Sequence, residues 1–207
     1  LKAYGKTTDL IAMGGAQYVH TFDKCLFMPS DLTAGLEYNR DRLKDNMWGY
    51  DRHTDQTVNI YSAFLQNEWK NERWSILVGG RLDKHNMVDN IIFSPRANLR
   101  FNPTQNINLR LSYSSGFRAP QAFDEDMHIE NVGGTVAMIE RTKNLKEEKS
   151  QSFSASADIY HRFGAFQTNF LIEGFYTKLT DVFVLGEPYN RGDGVLVKLR
   201  SNGPGAK

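Results

Sequence analysis

The residues best equipped for chemistry sit in one polar stretch, 118–148, where Asp124, Asp126, His128 and Glu130 follow Arg118. Carboxylate oxygens with an imidazole are ligands a divalent cation accepts. Their spacing fits no EF-hand loop and no second histidine lies nearby. A solvated acidic loop is therefore the simpler reading, and no metal is expected. The pair Gly133 and Gly134 signals a turn, without the strand-to-helix context of a phosphate loop. Ser112, Ser114 and Ser115 lack the Gly-x-Ser-x-Gly elbow of a hydrolase. The five histidines, His20, His53, His85, His128 and His161, are scattered. No enzyme and no cofactor are expected. A second polar stretch, 43–57, carries Trp48 and Tyr50 among charges. An aromatic pair at a loop tip either stacks on a ligand or sugar, or pins the loop to a neighbour. Both readings stay open.

What positions these residues is a rhythm of strands. The expected strands are 8–20, 32–43, 57–70, 73–85, 95–101, 106–117, 149–161, 166–180 and 194–201. Tight turns fall near 70–73, 102–105 and 163–166. Long polar connections fall near 43–57, 85–94, 117–149 and 181–194. Turn and loop alternate, which describes an antiparallel up-and-down meander with its long loops at one end. Transmembrane β-barrels have that habit. Along 106–113, Ile107, Leu109, Leu111 and Tyr113 point one way, and Asn106, Asn108, Arg110 and Ser112 the other. The strand at 149–161 repeats this, with Phe153, Ala155, Ala157 and Ile159 against Ser152, Ser154, Ser156 and Asp158. This is period two, which a helix cannot use. The polar set faces either a barrel lumen or, in a soluble sandwich, bulk solvent. Length favours the barrel. About twelve residues at about 3.3 Å make roughly 40 Å, which a 40° tilt reduces to about the thickness of a bilayer core. Aromatic residues near the strand ends, among them Trp69, Trp74, Phe101, Phe163 and Phe166, suit the bilayer interfaces.

Composition sets the outer bounds. The chain has 207 residues, 25 basic and 24 acidic, with net charge +1. No basic stripe points to nucleic acid. Mean hydropathy is −0.51, and no apolar run is long enough for a membrane helix. Alternation hides a barrel from that average. The single cysteine, Cys25, excludes an internal disulfide and is expected to be a packed free thiol. The chain opens at Leu1 and stops soon after an alternating segment, so both ends look cut from something longer.

The stretch 112–120, Ser-Tyr-Ser-Ser-Gly-Phe-Arg-Ala-Pro, resembles the TonB-dependent outer-membrane receptors at a strand end entering a long loop. Phe117, Arg118, Ala119 and Pro120 are the most specific element. Val78-Gly79-Gly80-Arg81-Leu82-Asp83 resembles the family's G-x-R-x-D strand, and Ser94-Pro95-Arg96-Ala97-Asn98-Leu99 its P-R strand. Residues 169–183 resemble a later hairpin. The run from Gln121 to Gly134 looks closest to receptors of the Bacteroides type.

The resemblance implies a barrel of about 22 strands closed by a plug, in the outer membrane of a Gram-negative cell. It implies uptake of scarce large nutrients of the iron–siderophore, haem or cobalamin class, driven by a TonB complex. Residues 1–207 would then be a partial barrel segment, with the plug domain, the TonB box and the C-terminal strands absent. Implied partners are outer-membrane lipid, the plug, the TonB complex and a metal chelate or other nutrient, but no nucleic acid. The isolated segment is expected to self-associate through bare sheet edges. Ligand-side residues would be Trp48, Tyr50, Arg118, Asp124, Asp126, His128 and Glu130. Arg110, Ser112, Ser152, Ser154 and Asp158 would line the lumen. The alternative is a soluble all-β domain that binds sugars.

Overall fold

The computed structural model describes residues 4–50, 52–121, 137–142, 144–190, 192 and 196–206. Its strands are β1 (Gly5–Cys25), β2 (Met28–Met47), β3 (Arg52–Lys70), β4 (Trp74–His85), β5 (Ile92–Thr104), β6 (Ile107–Arg118), β7 (Ala137–Arg141), β8 (Glu148–Phe163), β9 (Phe166–Thr180), β10 (Phe183–Leu185), β11 (Tyr189–Asn190) and β12 (Leu196–Asn202). Eight form one sheet in the order β1-β2-β3-β4-β5-β6-β8-β9, every neighbouring pair antiparallel. The short turns β1–β2, β3–β4, β5–β6 and β8–β9 share one end. The connection from β6 to β8 crosses the other.

Three expectations need correction. The stretch 43–57 is mostly strand, because β2 continues to Met47 and β3 begins at Arg52. A single 3-10 turn, Trp48–Tyr50, lies between them. Its polarity is that of a ribbon wetted on both faces. Cross-strand partners hold the side chains: Lys44 Nζ lies 3.4 Å from Asp55 Oδ2, and His53 Nδ1 lies 2.9 Å from Asn46 Oδ1. The expected ninth strand exists as β12, but outside the meander. It is the centre of a small sheet, antiparallel to β10 and β11 and parallel to β7. The polar connections 117–149 and 181–194 therefore contribute the short strands β7, β10 and β11, which expectation assigned to loop. All three are too short for a period to show.

The two faces of the meander differ as the alternation requires. Leu109, Leu111 and Tyr113 stand opposite Phe101, Leu99 and Ala97 on β5, and opposite Ala157, Ala155 and Phe153 on β8. This outer face is exposed: Leu36, Leu65, Val78 and Leu111 are each more than half accessible. A water-soluble domain of this size would place such residues in a core. Here the buried apolar set among the described residues is small: Leu43, Val58, Val88, Ile92, Ala119 and Val197. An apolar belt of that extent, turned outward, is what a lipid-facing wall needs.

Aromatic residues mark two borders. On the short-turn side Phe27 stacks on Trp69 with centroids 5.6 Å apart, and Trp74 stacks on Phe101 at 4.1 Å. On the other side Tyr38 meets Tyr61 at 4.9 Å and Tyr113 meets Phe153 at 4.8 Å. These upper pairs do not share a hydrogen-bonded row. Tyr38 lies eight residues above the row of Ser30, Trp69, Ile76, Leu99, Leu111 and Ala155, whereas Phe153 lies two above it. A drop of six residues over the five strand steps from β2 to β8 is about 4 Å per 4.8 Å of sheet, a tilt of about 40°. The upper border stays level only if the strands tilt as barrel strands do.

Glycine serves the wall at two points. A Cβ on Gly80 would collide with the Phe93 ring, and one on Gly35 with the Phe64 ring. Each bare backbone is covered by a neighbouring ring.

Candidate functional site

The lumen face carries the polar residues in ordered contact. Ser112 and Ser154 are register partners with their hydroxyls 2.7 Å apart. Ser152 reaches the Thr177 hydroxyl at 3.0 Å. Asp158 accepts from the Tyr160 hydroxyl at 2.8 Å, and Arg110 Nε donates to Asn108 Oδ1 at 2.7 Å. The lumen candidates Arg110, Ser112, Ser152, Ser154 and Asp158 thus share one face of β6 and β8. On β9 the alternation lapses, since Leu171 and Phe175 are the register partners of Asp158 and Ser154.

A larger network, missed by sequence reasoning, lies on β2–β4. Arg81 donates from Nη1 to Glu37 Oε2, from Nε to Asp83 Oδ1 and from Nη2 to Ser62 Oγ, each at 2.8 Å. Ser62 Oγ in turn donates to Asp83 Oδ1 at 2.6 Å. The 78–83 motif places Arg81 and Asp83 on one face by period two. Glu37 is brought in only by the register of β2 on β3, which no local pattern reveals. A groove runs beside this network, lined by Gln17, Thr33, Gln66, Ser94, Arg96 and Ser114.

At the long-loop end, the connection after β6 is clasped. Phe117 packs on Val88, Ile92 and Ala119. Pro120 and Ala119 are buried, and the Arg118 guanidinium lies 5.8 Å from the centre of the Phe183 ring. The stretch from Phe117 to Pro120 is therefore packed down where β6 leaves the sheet. His85, fully buried, accepts at Nδ1 from the Met87 amide at 3.0 Å, and its Nε2 lies 3.4 Å from Gln121 Oε1. Burial pushes its pKa down, only partly opposed by Gln121 and Asp83. It stands three residues beyond Leu82, the partner of Phe93 on the outer aromatic border. From the returning strand, Arg141 Nη1 donates to the Pro120 carbonyl at 2.7 Å and to Gln56 Oε1 at 3.3 Å. A polar pocket opens there, lined by His53, Thr54, Asp55, Asn86, Met87 and Arg141.

The ligand-side candidates are placed unequally. Trp48 is half-exposed and stacks on Tyr4, with centroids 5.2 Å apart. Asp124, Asp126, His128 and Glu130 lie outside the described residues, as does the Tyr50 side chain. Cys25 is a half-buried free thiol at the β1–β2 turn.

A wall with a lipid-type outer face, a hydrogen-bonded polar inner face and its long connections at one end is now in hand. The family described as TonB dependent receptor-like, beta-barrel, matches residues 3–202. The chain belongs to that family. No curated protein sequence matches it. Among solved structures, it is similar to the siderophore receptor PirA from Pseudomonas aeruginosa, with 16% identity, TM-score 0.72, and coverage of 97% of this chain and 38% of that one. A ferric enterobactin receptor, PfeA, from the same organism in complex with enterobactin gives 17%, 0.69, 97% and 32%. The FrpB iron transporter from Neisseria meningitidis gives 15%, 0.61, 94% and 31%. At these identities the likeness is one of fold. The chain spans about a third of the length of these proteins. Its family is one of receptors, and it is an outer-membrane barrel wall.

Proposed function

We propose that the chain forms part of the wall and outer mouth of a TonB-dependent receptor that takes up a scarce, large nutrient of the iron–siderophore, haem or cobalamin class. The carrying observation is the pairing of a lipid-type outer face with a hydrogen-bonded lumen face, under connections gathered at one end. The connections would hold the nutrient, with Trp48, Tyr50, Arg118, Asp124, Asp126, His128 and Glu130 on the ligand side. Arg110, Ser112, Ser152, Ser154 and Asp158 would line the passage. A plug domain would fill the lumen and a TonB complex would pull on it, so uptake belongs to the whole receptor. No step of catalysis is assigned. Hydrogen bonds such as Ser112–Ser154 stay within the wall, so the plug can rearrange without breaking them. The Bacteroides-type affinity is supported by the run from Gln121 to Gly134 alone. A soluble sugar-binding sandwich would have to explain the exposed apolar belt, and no observation favours it.

The test is sided labelling in whole cells, followed by a ligand panel. With Cys25 replaced by Ser, a cysteine at Asn90 should react with an impermeant thiol reagent, and one at Gly164 only after the outer membrane is opened. Deleting the parent gene should then slow growth on one of ferric siderophore, haem or cobalamin as sole source. Labelling of Gly164 in intact cells, or growth unaffected on all three, would refute the proposal.

A further inference from the structure

On the outer face, charge appears at the aromatic border nearest the mouth. Along 39–45 the residues alternate, so Arg40, Arg42 and Lys44 share the outward face of Tyr38, and Asp41, Leu43 and Asp45 take the inward one. Lys149 on β8 and Lys178 on β9 also stand outward, four residues beyond Phe153 and two beyond Tyr176. Among the described strand residues of the meander on that side, Asp55 is the one outward carboxylate. It is already shared by Arg42 at 3.9 Å and Lys44 at 3.4 Å. Two to four residues of a strand tilted by about 40° rise about 5–10 Å, which leaves the hydrocarbon and enters the headgroup layer.

Lys149 and Lys178 are diagonal neighbours, because Gln151 is the register partner of Lys178 and Thr180 that of Lys149. Both are exposed. Lys149 pairs with Glu147 at 3.0 Å, whereas Lys178 makes no ion pair among the described residues. With Ser115 and Gln151 they line a polar hollow of about 500 Å³. An apolar hollow of about 840 Å³ lies directly below, floored by Ala97, Ala155 and Gly174 and walled by Leu111, Phe153 and Tyr176. The Tyr113 ring borders both hollows, so they are continuous. The floor is open, since a Cβ on Gly174 would meet nothing within 4 Å.

The combination narrows the ligand. A soluble anion would meet the cations and leave the apolar hollow bare. A neutral lipid would fill the hollow and leave the cations unanswered. A phosphate carried on an acylated lipid satisfies both. A phosphomonoester bears a charge of about −1.5 to −2 at pH 7, which two ammonium groups balance. Ammonium is a compact, strongly hydrated charge on a flexible stem, suited to a wet headgroup layer. In the mouth-side leaflet of a Gram-negative outer membrane, the lipid of that chemistry is an acylated, phosphorylated glycolipid.

The geometry points to a lipid site on the outside of the wall. Lys149 and Lys178 hold the phosphate of an outer-leaflet glycolipid, and one of its acyl chains lies in the hollow over Ala155 and Gly174. This rests on the barrel-wall reading above and adds a defined ligand to its outer face.

The experiment uses the receptor purified from outer membranes, after the wild type has been shown to be there, and stripped of lipid in a neutral detergent. Bisphosphorylated lipid A is added and the complex is counted by native mass spectrometry. The wild type should retain it. The double variant Lys149→Gln, Lys178→Gln should bind about tenfold or more weakly, and Lys178→Arg should bind as the wild type does. Gly174→Leu fills the hollow and should weaken binding with both lysines in place. Dephosphorylated lipid A and phosphatidylglycerol should each bind the wild type more weakly than lipid A. All these variants should keep the wild-type Tm in detergent without lipid, because the substituted positions are exposed. No binding by the wild type, equal binding by the double variant, or equal binding of phosphatidylglycerol would overturn the proposal. So would displacement of lipid A by inorganic phosphate with Gly174→Leu unaffected, which would reduce the site to a surface anion contact. Each of those results leaves the receptor reading intact, because localisation and uptake are measured separately.

Discussion

Arg81 on β4 donates from Nη1 to Glu37 on β2 at 2.8 Å, reaching across the whole width of β3. The same guanidinium holds Asp83, whose side chain is nearly inaccessible to water. Three strands are thereby tied by one cation on the lumen face. Arg81→Gln would leave the Asp83 carboxylate buried and short of its charge partner. The expected loss is about 1–3 kcal/mol, measured by denaturant unfolding of the receptor in detergent. Glu37→Gln should cost less, because Glu37 is more exposed. Equal losses would place the network's weight on Glu37 instead.

The His85 clasp should respond to pH. Its folded pKa lies below the ordinary 6.5 because burial disfavours the imidazolium. Above that value both folded and unfolded forms are neutral and the group has no effect. As pH falls through it, the unfolded clasp takes up a proton that the folded one resists, so the clasp loses stability. Protonation also abolishes the Nδ1 acceptor used by Met87. The polar groups acting on it are Gln121 and Asp83. Hydrogen-exchange protection of the Met87 amide should fall between about pH 7.5 and about pH 5.5, and His85→Asn should flatten that dependence. Protection that rises with acid would contradict the sign.

Leu111 faces outward in the row of Ile76 and Leu99, between the two aromatic borders. Leu111→Arg should therefore disfavour insertion of the receptor by about 2–4 kcal/mol. Ser152→Arg, on the lumen face one strand away, should insert almost as the parent does. The two are compared by folding into lipid vesicles from urea.

Most of the fold was legible because alternation is local. Two residues of β6 or β8 are enough to assign a face, and the 112–120 motif fixed where β6 ends. The small sheet was not legible. β10 has three residues and β11 two, and β7 joins them only through its partner β12, some sixty residues away in sequence. The wetted extension of β2 and β3 was hidden for another reason. Beyond the membrane both faces of a ribbon are polar, and period two disappears. The lumen candidates on β6 and β8 came from alternation. The Arg81 network required register, which is set by long-range pairing.

Made alone in water, the chain should assemble. Strands β1 and β9 border the described sheet, and the outer face exposes Leu10, Leu36, Leu65 and Phe170. Bare edges pair and apolar belts associate. Light scattering should show large species without detergent and smaller ones with it. A monodisperse monomer that melts cooperatively in plain buffer would count against the lipid-facing assignment.

The most direct measurement is the accessibility of spin labels at Leu111 and Ser112 in the receptor reconstituted in bilayers, with Cys25 replaced. These neighbours point to opposite faces of β6. The expected result is that the Leu111 label relaxes with membrane-dissolved oxygen and is shielded from a water-soluble nickel chelate, and that the Ser112 label lacks that oxygen-dominated signature. A water-exposed Leu111 label, or the same lipid signature at both positions, would contradict the wall.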